Sequence, residues 1–403
     1  MIPYEHQVKA SKLAVKIMKE SMIVYLASEE RSGKSLTTIL TTEQLNIKTV
    51  LILTKKRAID GWLNILKEYE HNKDYTVINY EQIKNYKPIY DLIVLDEAHN
   101  FISKFPIPSK TWNLVKQFTV NKPIILISAT PHAQGYQLLY HQLALSSWSP
   151  WNKWPTAYLW FAKFGHIKFK WIYGKQIPDY TEVSPICFDS VKHLFIAETR
   201  VDLGFKHEPK DKIHYIELNQ NTKDVYNNIL KCRAIELNGW DLVCDTVMKL
   251  RTTLHTIEGG SVIQLIKKGK KIIKREGFVL SNTEKIDYIK SIWGDTDDMV
   301  IMYNYVSEKT KLESHFLQAS ILQSTSYAEG IDLYKFKHLI IYSQDFSTAR
   351  HTQRRARQTN KLREEEIIVH YLLVKDAISD QVYEAVSINK KNYVDSLFKQ
   401  VAL

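Results

Sequence analysis

The stretch that decides the fold is SMIVYLASEERSGKSLTTILTTEQL, residues 21–45. It begins with a short apolar run typical of a buried strand, continues through the polar loop SEERSGKS, and ends in a helix-compatible segment. A loop between a strand and a helix can cradle phosphate groups, because its backbone N–H groups and the helix N-terminus attract anions. In such a loop, completed by Ser32 and Gly33, Lys34 would reach the β and γ oxygens of ATP and the Ser35 hydroxyl would bind Mg²⁺.

This match to the phosphate-loop pattern GxxxxGK[ST] is incomplete. Ser28 stands where the first glycine is expected. The triplet GKS also occurs by chance in ordinary loops, so this motif alone leaves both interpretations open. Support must come from other strands of the same sheet.

Two further apolar runs supply that support. DLIVLDEAH (residues 91–99) delivers Asp96 and Glu97 to the end of a buried strand, where α/β sheets place their chemistry. Asp96 can hold Mg²⁺, and Glu97 can orient or deprotonate the attacking water. PIILISATP (residues 123–131) ends in Ser128 and Thr130, whose hydroxyls are placed to sense the nucleotide and pass its state onward. An acidic pair that merely caps the next helix is the alternative, and three such loops in one sheet disfavour it.

The spacing of the apolar runs predicts an α/β fold in two halves. Runs at 21–27, 49–54, 75–78, 91–96 and 123–128 are separated by helix-length segments, which predicts a doubly wound parallel sheet. The same alternation of apolar runs and helix-length segments occurs at 298–305, 319–325, 338–344 and 366–374, which predicts a second such domain. The predicted divisions are 1–145, an aromatic-rich helical insertion at 146–214, and 215–403.

The insertion contains five of the nine tryptophans of the chain. An aromatic core or a domain interface is one explanation, and a platform on which bases stack is another. The sequence leaves both open. The five residues are Trp148, Trp151, Trp154, Trp160 and Trp171.

Composition limits the class of partner and compartment. The net charge of +11 and the isoelectric point near 9.1 suit a polyanion such as nucleic acid. The three cysteines, Cys187, Cys232 and Cys244, lack the spacing of a disulfide framework or a zinc site. The N-terminus resembles no signal peptide, and no run of 18 apolar residues occurs, so we expect a cytoplasmic protein that makes no membrane contact.

A basic hairpin is predicted at residues 262–280, with its turn near Lys267, Lys268 and Gly269. Its lysines can be simply solvated, or they can contact DNA phosphates. The lysines concerned are Lys267, Lys268, Lys270 and Lys271.

Taken together, these motifs resemble superfamily 2 helicases of the Swi/Snf type, especially the compact DNA helicases encoded by bacteriophages. GKS, DEAH and SAT are similar to motifs I, II and III of that family. MIPYEHQ resembles the element in which a glutamine, here Gln7, binds the adenine edge. Trp62 and the segment INYEQIK (78–84) also match the family pattern. The resemblance implies two RecA-like domains.

In the second half, QSTSYAEGIDL places Ser324, Thr325, Gly330 and Asp332 as motif V does. TQRRARQTNK resembles motif VI, with Gln353, Arg354 and Arg357 at the functional positions. In the family this motif supplies arginine fingers that neutralise charge on the γ-phosphate. A further family arginine is replaced by Asn360, so either Arg354 and Arg357 share the task or one finger is absent. An ordinary basic patch is the alternative.

The resemblance therefore implies an ATP-dependent DNA helicase or translocase, in which ATP and Mg²⁺ are the cofactors and single-stranded, duplex or forked DNA is the partner. It would act in phage replication, recombination or repair in the host cytoplasm, alone or with a separately encoded nuclease or replication protein. Two alternatives stay open: an RNA helicase, and a nucleic-acid clamp that does not hydrolyse ATP.

Overall fold

The computed structural model describes residues 2–132, 135–172, 175–237, 240–268, 271–324, 333–360 and 363–388. These residues divide into two compact units, one extending to Phe205 and the other beginning at Lys206. Each unit is built around a parallel sheet. The predicted α/β class with parallel sheets is thus confirmed.

The first unit contains a six-stranded sheet in the order β3-β2-β4-β5-β1-β8, with every neighbouring pair parallel. The first five of these strands lie within the apolar runs quoted above or extend them by a residue or two. The strands are β1 Ile23–Leu26, β2 Thr49–Thr54, β3 Asp74–Asn79, β4 Leu92–Asp96, β5 Ile124–Ile127 and β8 Phe195–Ile196.

Continuous apolarity explains why these strands lie in the middle of the unit. All four residues of β1 and of β5 are buried, because helices cover both faces of a parallel sheet. Each Val, Leu or Ile buried in this way stabilises the fold by roughly 1.5 to 3 kcal/mol. The helices of the unit are α1 Glu5–Ser21, α2 Lys34–Glu43, α3 Ile59–Glu68, α4 His99–Ile102, α5 Lys110–Thr119, α6 Gln137–Leu143 and α7 Ala157–Phe164.

The aromatic-rich segment contains more than helices. After α7 the chain forms an antiparallel hairpin of β6 Lys168–Ile172 and β7 Lys175–Asp179, and β8 then joins the edge of the six-stranded sheet beside β1. Trp151 and Trp160 are completely buried, whereas Trp171 is 72% exposed. The aromatic-core explanation therefore applies to part of the segment only.

The second unit contains a five-stranded parallel sheet in the order β15-β14-β16-β17-β9. Four of its strands match predicted runs, and β9 was missed because its sequence KDKIHY is mostly polar and exposed. The strands are β9 Lys210–Tyr215, β14 Met299–Tyr303, β15 Ser320–Gln323, β16 His338–Ile341 and β17 Ile368–Leu373.

Alternate residues of these strands enter two different apolar clusters. Met299 and Ile301 pack into one cluster, and Val300 and Met302 pack into the other. Both faces of the sheet are therefore covered. The helices of this unit are α8 Gln220–Cys232, α9 Val247–Glu258, α10 Glu284–Trp293, α11 Val306–His315, α12 Thr348–Arg355 and α13 Ile378–Tyr383.

Two hairpins complete the second unit: β10 Ala234–Leu237 with β11 Trp240–Val243, and β12 Ser261–Lys268 with β13 Lys271–Val279. The second is the predicted basic hairpin, with Lys268 opposite Lys271. Within the described ranges, no helix has both the length and the apolarity needed to cross a bilayer.

Candidate functional site

The three predicted loops of the first unit lie on adjacent strands. The order β4-β5-β1 puts Asp96, Ser128 and the loop before α2 at the carboxyl ends of three neighbouring parallel strands. Since these ends share one edge of the sheet, the side chains that follow them come together there. The site therefore rests on the most buried part of the unit.

The predicted phosphate loop ends at Gly33, the residue before α2. Gly33 has a φ of 78°, which residues with a side chain rarely adopt. A Cβ on Gly33 would lie 2.0 Å from the side-chain nitrogen Nε2 of Gln7. Both constraints require glycine at this position. The loop thus reaches the N-terminus of α2 in a conformation that leaves helix amides directed toward an anion.

The Lys34 side chain is hydrogen-bonded to the backbone of this loop. Its Nζ donates hydrogen bonds to the backbone oxygens of Ser28, at 2.7 Å, and Glu29, at 2.8 Å. Burial lowers the pKa of the Lys34 ammonium, and the carboxylates of Glu30 and Glu97 oppose that shift. The Lys34 cation therefore lies close to the acidic residues predicted to act on the same nucleotide.

Ser28, the departure from the glycine pattern, has a structural partner. Its Oγ accepts a hydrogen bond from the backbone N–H of Glu198 at 3.2 Å, and the Glu29 N–H donates to the Glu198 carbonyl at 3.0 Å. The loop is thus paired with the chain segment that follows β8. The hydroxyl that replaces the expected glycine holds this pairing in place.

Arg200 continues the same connection and was missed by the sequence analysis. Its backbone N–H donates to Glu29 Oε2 at 2.7 Å, and its guanidinium donates to Glu30 Oε2 at 3.2 Å. Arg200 is only 6% exposed. Adjacent acids inside a phosphate loop are an unusual sequence feature, and they could have signalled a buried basic partner elsewhere.

The N-terminus of α1 contacts the loop from the other side. Gln7 Oε1 accepts from the Tyr4 N–H at 2.9 Å, and Gln7 Nε2 donates to the Gly33 carbonyl at 3.2 Å. The His6 ring lies 3.1 Å from the Ser32 carbonyl. Gln7 is therefore next to the phosphate loop, and its role in reading adenine stays a prediction.

Asp96 is held by side chains of the neighbouring strand and of α3. Its Oδ2 accepts hydrogen bonds from Thr54 Oγ1 at 2.7 Å and from Trp62 Nε1 at 3.0 Å. The carboxylate is therefore fixed in orientation. The indole N–H of Trp62 therefore helps to orient the carboxylate that we predict to bind Mg²⁺.

Glu97, His99 and Ser128 form a connected group. His99 Nδ1 lies 3.2 Å from Glu97 Oε2 and 2.9 Å from Ser128 Oγ. Burial lowers the pKa of His99 to about 3, so the ring is neutral at pH 7 and its contact with Glu97 is a hydrogen bond rather than an ion pair. Ser128 Oγ in turn accepts from the Thr130 N–H at 3.0 Å. A change at Glu97 can thus be transmitted to the loop after β5.

The donor set fits a magnesium nucleotide. Ser32 is buried, and its Oγ has no hydrogen-bond partner among the residues the structure describes, so a phosphate oxygen would satisfy it. Ser35 lies in the first turn of α2, and its hydroxyl and the Asp96 carboxylate are the hard oxygen ligands that Mg²⁺ prefers. The described residues contain no cluster of three or more His, Cys, Asp or Glu that could hold a metal ion alone.

The second unit carries the predicted motif VI residues on α12 and the following turn, Ala356–Gln358. Arg354 is fully buried and lies 3.8 Å from Asp345; its three guanidinium nitrogens make no hydrogen bond to any described residue. Gln353 is also buried, whereas Arg357 and Asn360 are half-buried. The two arginines therefore have different surroundings.

Several predicted residues cannot be placed. Thr325, Gly330, Asp332 and Lys270 lie outside the described residues. Lys267, Lys268 and Lys271 are located by their backbone in β12 and β13 only.

A cluster of buried ionisable side chains on α9, α10 and α11 of the second unit was also missed. Lys285 Nζ donates to the Tyr342 carbonyl at 2.9 Å, and Glu308 accepts from the Tyr305 N–H at 3.0 Å and from Ser343 Oγ. Burial raises the pKa of both Glu258 and Glu308 to about 7. These groups make the stability of the second unit sensitive to pH.

No model of a known protein family matches the chain.

Proposed function

We propose that the protein is an ATP-dependent DNA translocase or helicase built from two RecA-like domains. The observation that carries the proposal is the convergence of Lys34, Asp96 and Glu97 on adjacent strand ends, beside a loop that ends at a helix N-terminus. This arrangement can hold the phosphates of a nucleotide and direct a water molecule at the terminal one.

In the proposed reaction each side chain has one task. Lys34 leaves the loop carbonyls of Ser28 and Glu29 and binds the β and γ phosphate oxygens. Asp96, oriented by Thr54 and Trp62, would hold Mg²⁺ together with Ser35, and the ion would supply positive charge to the phosphates. Glu97 orients the attacking water and accepts its proton.

Coupling to movement follows from the group around Glu97. Loss of the γ-phosphate alters the charge near Glu97, and the contacts through His99 and Ser128 relay that change to Thr130. We propose that Arg357, with or without Arg354, reaches the γ-phosphate when the two units close around ATP. Hydrolysis would then reopen them and advance the protein along the strand.

The experiment that tests this function is an ATPase titration with single-stranded, duplex and forked DNA, and with RNA of the same sequence. Stimulation by DNA above the basal rate is expected. Stronger stimulation by RNA would support an RNA helicase, and nucleotide binding without turnover would support a clamp. The DNA affinity should also fall with salt, with a logarithmic slope of roughly −0.7 to −0.9 per phosphate contact.

A further inference from the structure

One segment of the first unit lacks acidic residues altogether. Residues 98–178 contain nine lysines and no Asp, Glu or Arg, so they carry a formal charge of +9 out of the +11 of the whole chain. Most of the net positive charge therefore comes from one fifth of the length, because this segment has no acidic residues to balance its lysines. Among these lysines, Lys104, Lys110, Lys153 and Lys163 are exposed, and Lys168 is exposed but forms an ion pair with Glu182 at 3.0 Å.

The same segment exposes aromatic side chains on the hairpin of β6 and β7. Phe169 is 56% exposed and Trp171 is 72% exposed. They are two positions apart in a strand, so both point to the same face of the hairpin. In the described part of the chain, this hairpin forms a sheet of its own with two strands. Large apolar side chains left in solvent at adjacent positions indicate an interaction surface.

The root of the hairpin is firmly attached. Gly165 forms a bridge with Val183, and a Cβ on Gly165 would lie 2.3 Å from the ring of Phe161 on α7. Phe161 is itself buried and packs against Tyr180, with ring centroids 5.0 Å apart. The exposed rings of Phe169 and Trp171 are therefore presented by a fixed support.

We propose that the hairpin of β6 and β7 is a platform on which unpaired bases of a nucleic acid stack, through Phe169 and Trp171. The inference rests on the proposed function and specifies the part of the DNA that this surface binds. Lysines on an acid-free segment attract the phosphate backbone, and exposed aromatic rings stack on bases of any sequence. An acidic protein could also bind the lysines, but two neighbouring exposed aromatic rings are better suited to stack on unpaired bases.

A cavity of about 450 Å³ in the same segment is the competing surface. It is lined by apolar side chains that include Trp112, Trp154 and Tyr158. Trp154 is half-buried and its ring is already covered by Lys153, whose Nζ lies 4.3 Å from the ring centroid. Tyr158 is 51% exposed, close to Phe169, so the advantage of the hairpin rests on Trp171, which is 72% exposed.

The test uses the full chain and fluorescence anisotropy with a labelled oligothymidylate of about 20 nucleotides, longer than most single-strand site sizes. The double variant Phe169→Ala, Trp171→Ala should bind this strand at least about 30-fold more weakly, since each of the two stacked bases contributes roughly fivefold or more. Its affinity for a blunt duplex and for ATP should stay within about twofold. The salt slope should be unchanged, because the phosphate contacts remain.

Two control variants sharpen the result. Trp148→Ala removes a 41% exposed tryptophan from the same acid-free segment but not from the hairpin, and it should bind the single strand normally. The conservative pair Phe169→Tyr, Trp171→Phe should retain most of the affinity, because the rings that stack are kept.

Three outcomes would overturn the inference. Wild-type single-strand affinity in the double variant would exclude the hairpin as a platform, and an equal loss for duplex would exclude stacking on unpaired bases. A loss of single-strand binding in Tyr158→Ala alone would assign the platform to the cavity. A wild-type chain that neither binds DNA nor hydrolyses ATP faster with it would overturn the proposed function itself.

Discussion

Lys34 in the first unit is a half-buried cation and Arg354 in the second is a fully buried one, and their hydrogen-bonding surroundings differ. Lys34 donates to two loop carbonyls within 2.8 Å, whereas the guanidinium of Arg354 makes no hydrogen bond to a described residue and lies 3.8 Å from Asp345. The phosphate loop is thus a hydrogen-bonded structure in its own right. In α12, by contrast, the charge of Arg354 is only partly compensated by the described residues around it.

The largest effect is expected at the satisfied cation. Lys34→Ala should abolish ATP hydrolysis and weaken ATP binding, because the ammonium is the main fixed charge at the β and γ phosphates. Steady-state ATPase assays and nucleotide titration measure the two quantities. Wild-type turnover in this variant would refute the phosphate-loop assignment.

The second prediction separates the two arginines. Arg357→Ala should leave ATP affinity within a few-fold and reduce DNA-stimulated turnover by about 10³- to 10⁵-fold, the range for arginine fingers. Normal turnover would show that the second unit does not complete the site.

Arg354→Ala is the companion variant, and stability is its readout. Removing a fully buried side chain beside Asp345 should lower the free energy of unfolding by roughly 2 to 4 kcal/mol. Denaturant titration measures this loss. A stable Arg354→Ala protein with collapsed turnover would instead make Arg354 a second finger and would account for Asn360.

The proposed catalytic base, Glu97, gives the third prediction. Glu97→Gln keeps the shape of the side chain and removes the base, so it should bind ATP and DNA while hydrolysing ATP about 10²- to 10⁴-fold more slowly. Failure of this variant to bind Mg·ATP would identify Glu97 as a metal ligand.

Arg200 tests how far the phosphate loop depends on the segment after β8. Arg200→Ala should raise KM for ATP by about tenfold and change kcat little, because it removes the guanidinium that donates to Glu30 at 3.2 Å and lies 3.8 Å from Glu29, while the backbone hydrogen bond to Glu29 remains. Lys192→Ala is the matched control, since it breaks an exposed ion pair of the same region at Asp189. Equal KM values for both variants would show that Arg200 does not position the loop.

The last prediction concerns the dependence of stability on pH. The folded-state pKa values of Glu258 and Glu308, about 7, exceed the ordinary value of 4.5, so the folded chain binds these protons more tightly. Their contribution to stability is complete below pH 4.5 and is lost as the pH rises through 7, by at most about 3 kcal/mol for each group. Glu308→Gln should flatten the dependence of unfolding on pH between 5 and 7, as measured by denaturant titration. An unchanged slope would contradict the assigned pKa.

The sequence predicted the parts of this molecule that are determined locally. Continuous apolar runs identified β1, β2, β4 and β5, and the polar residues after them identified Lys34, Asp96, Glu97 and Ser128. Strand β9 escaped because an edge strand with solvent on one side has no apolar run.

Contacts between distant residues were beyond the sequence. Nothing in the pattern around Ser28 shows that a backbone group 170 residues later would bond to its hydroxyl. The burial of Arg354 likewise depends on tertiary packing, and the sequence RRAR is also compatible with a solvated patch. The split between buried Trp151 and exposed Trp171 also depends on tertiary packing.

The pairing of Ser28 and Glu29 with Glu198 and Arg200 has a consequence for synthesis of the chain. A ribosome completes the phosphate loop early, but the strand and arginine that fix it are translated some 170 residues later. Strands β1 to β5 can assemble on the nascent chain before that point. The candidate site is therefore completed last within its own unit, and under the proposed function we expect a growing chain to gain its full affinity for ATP only once the residues around Arg200 have emerged.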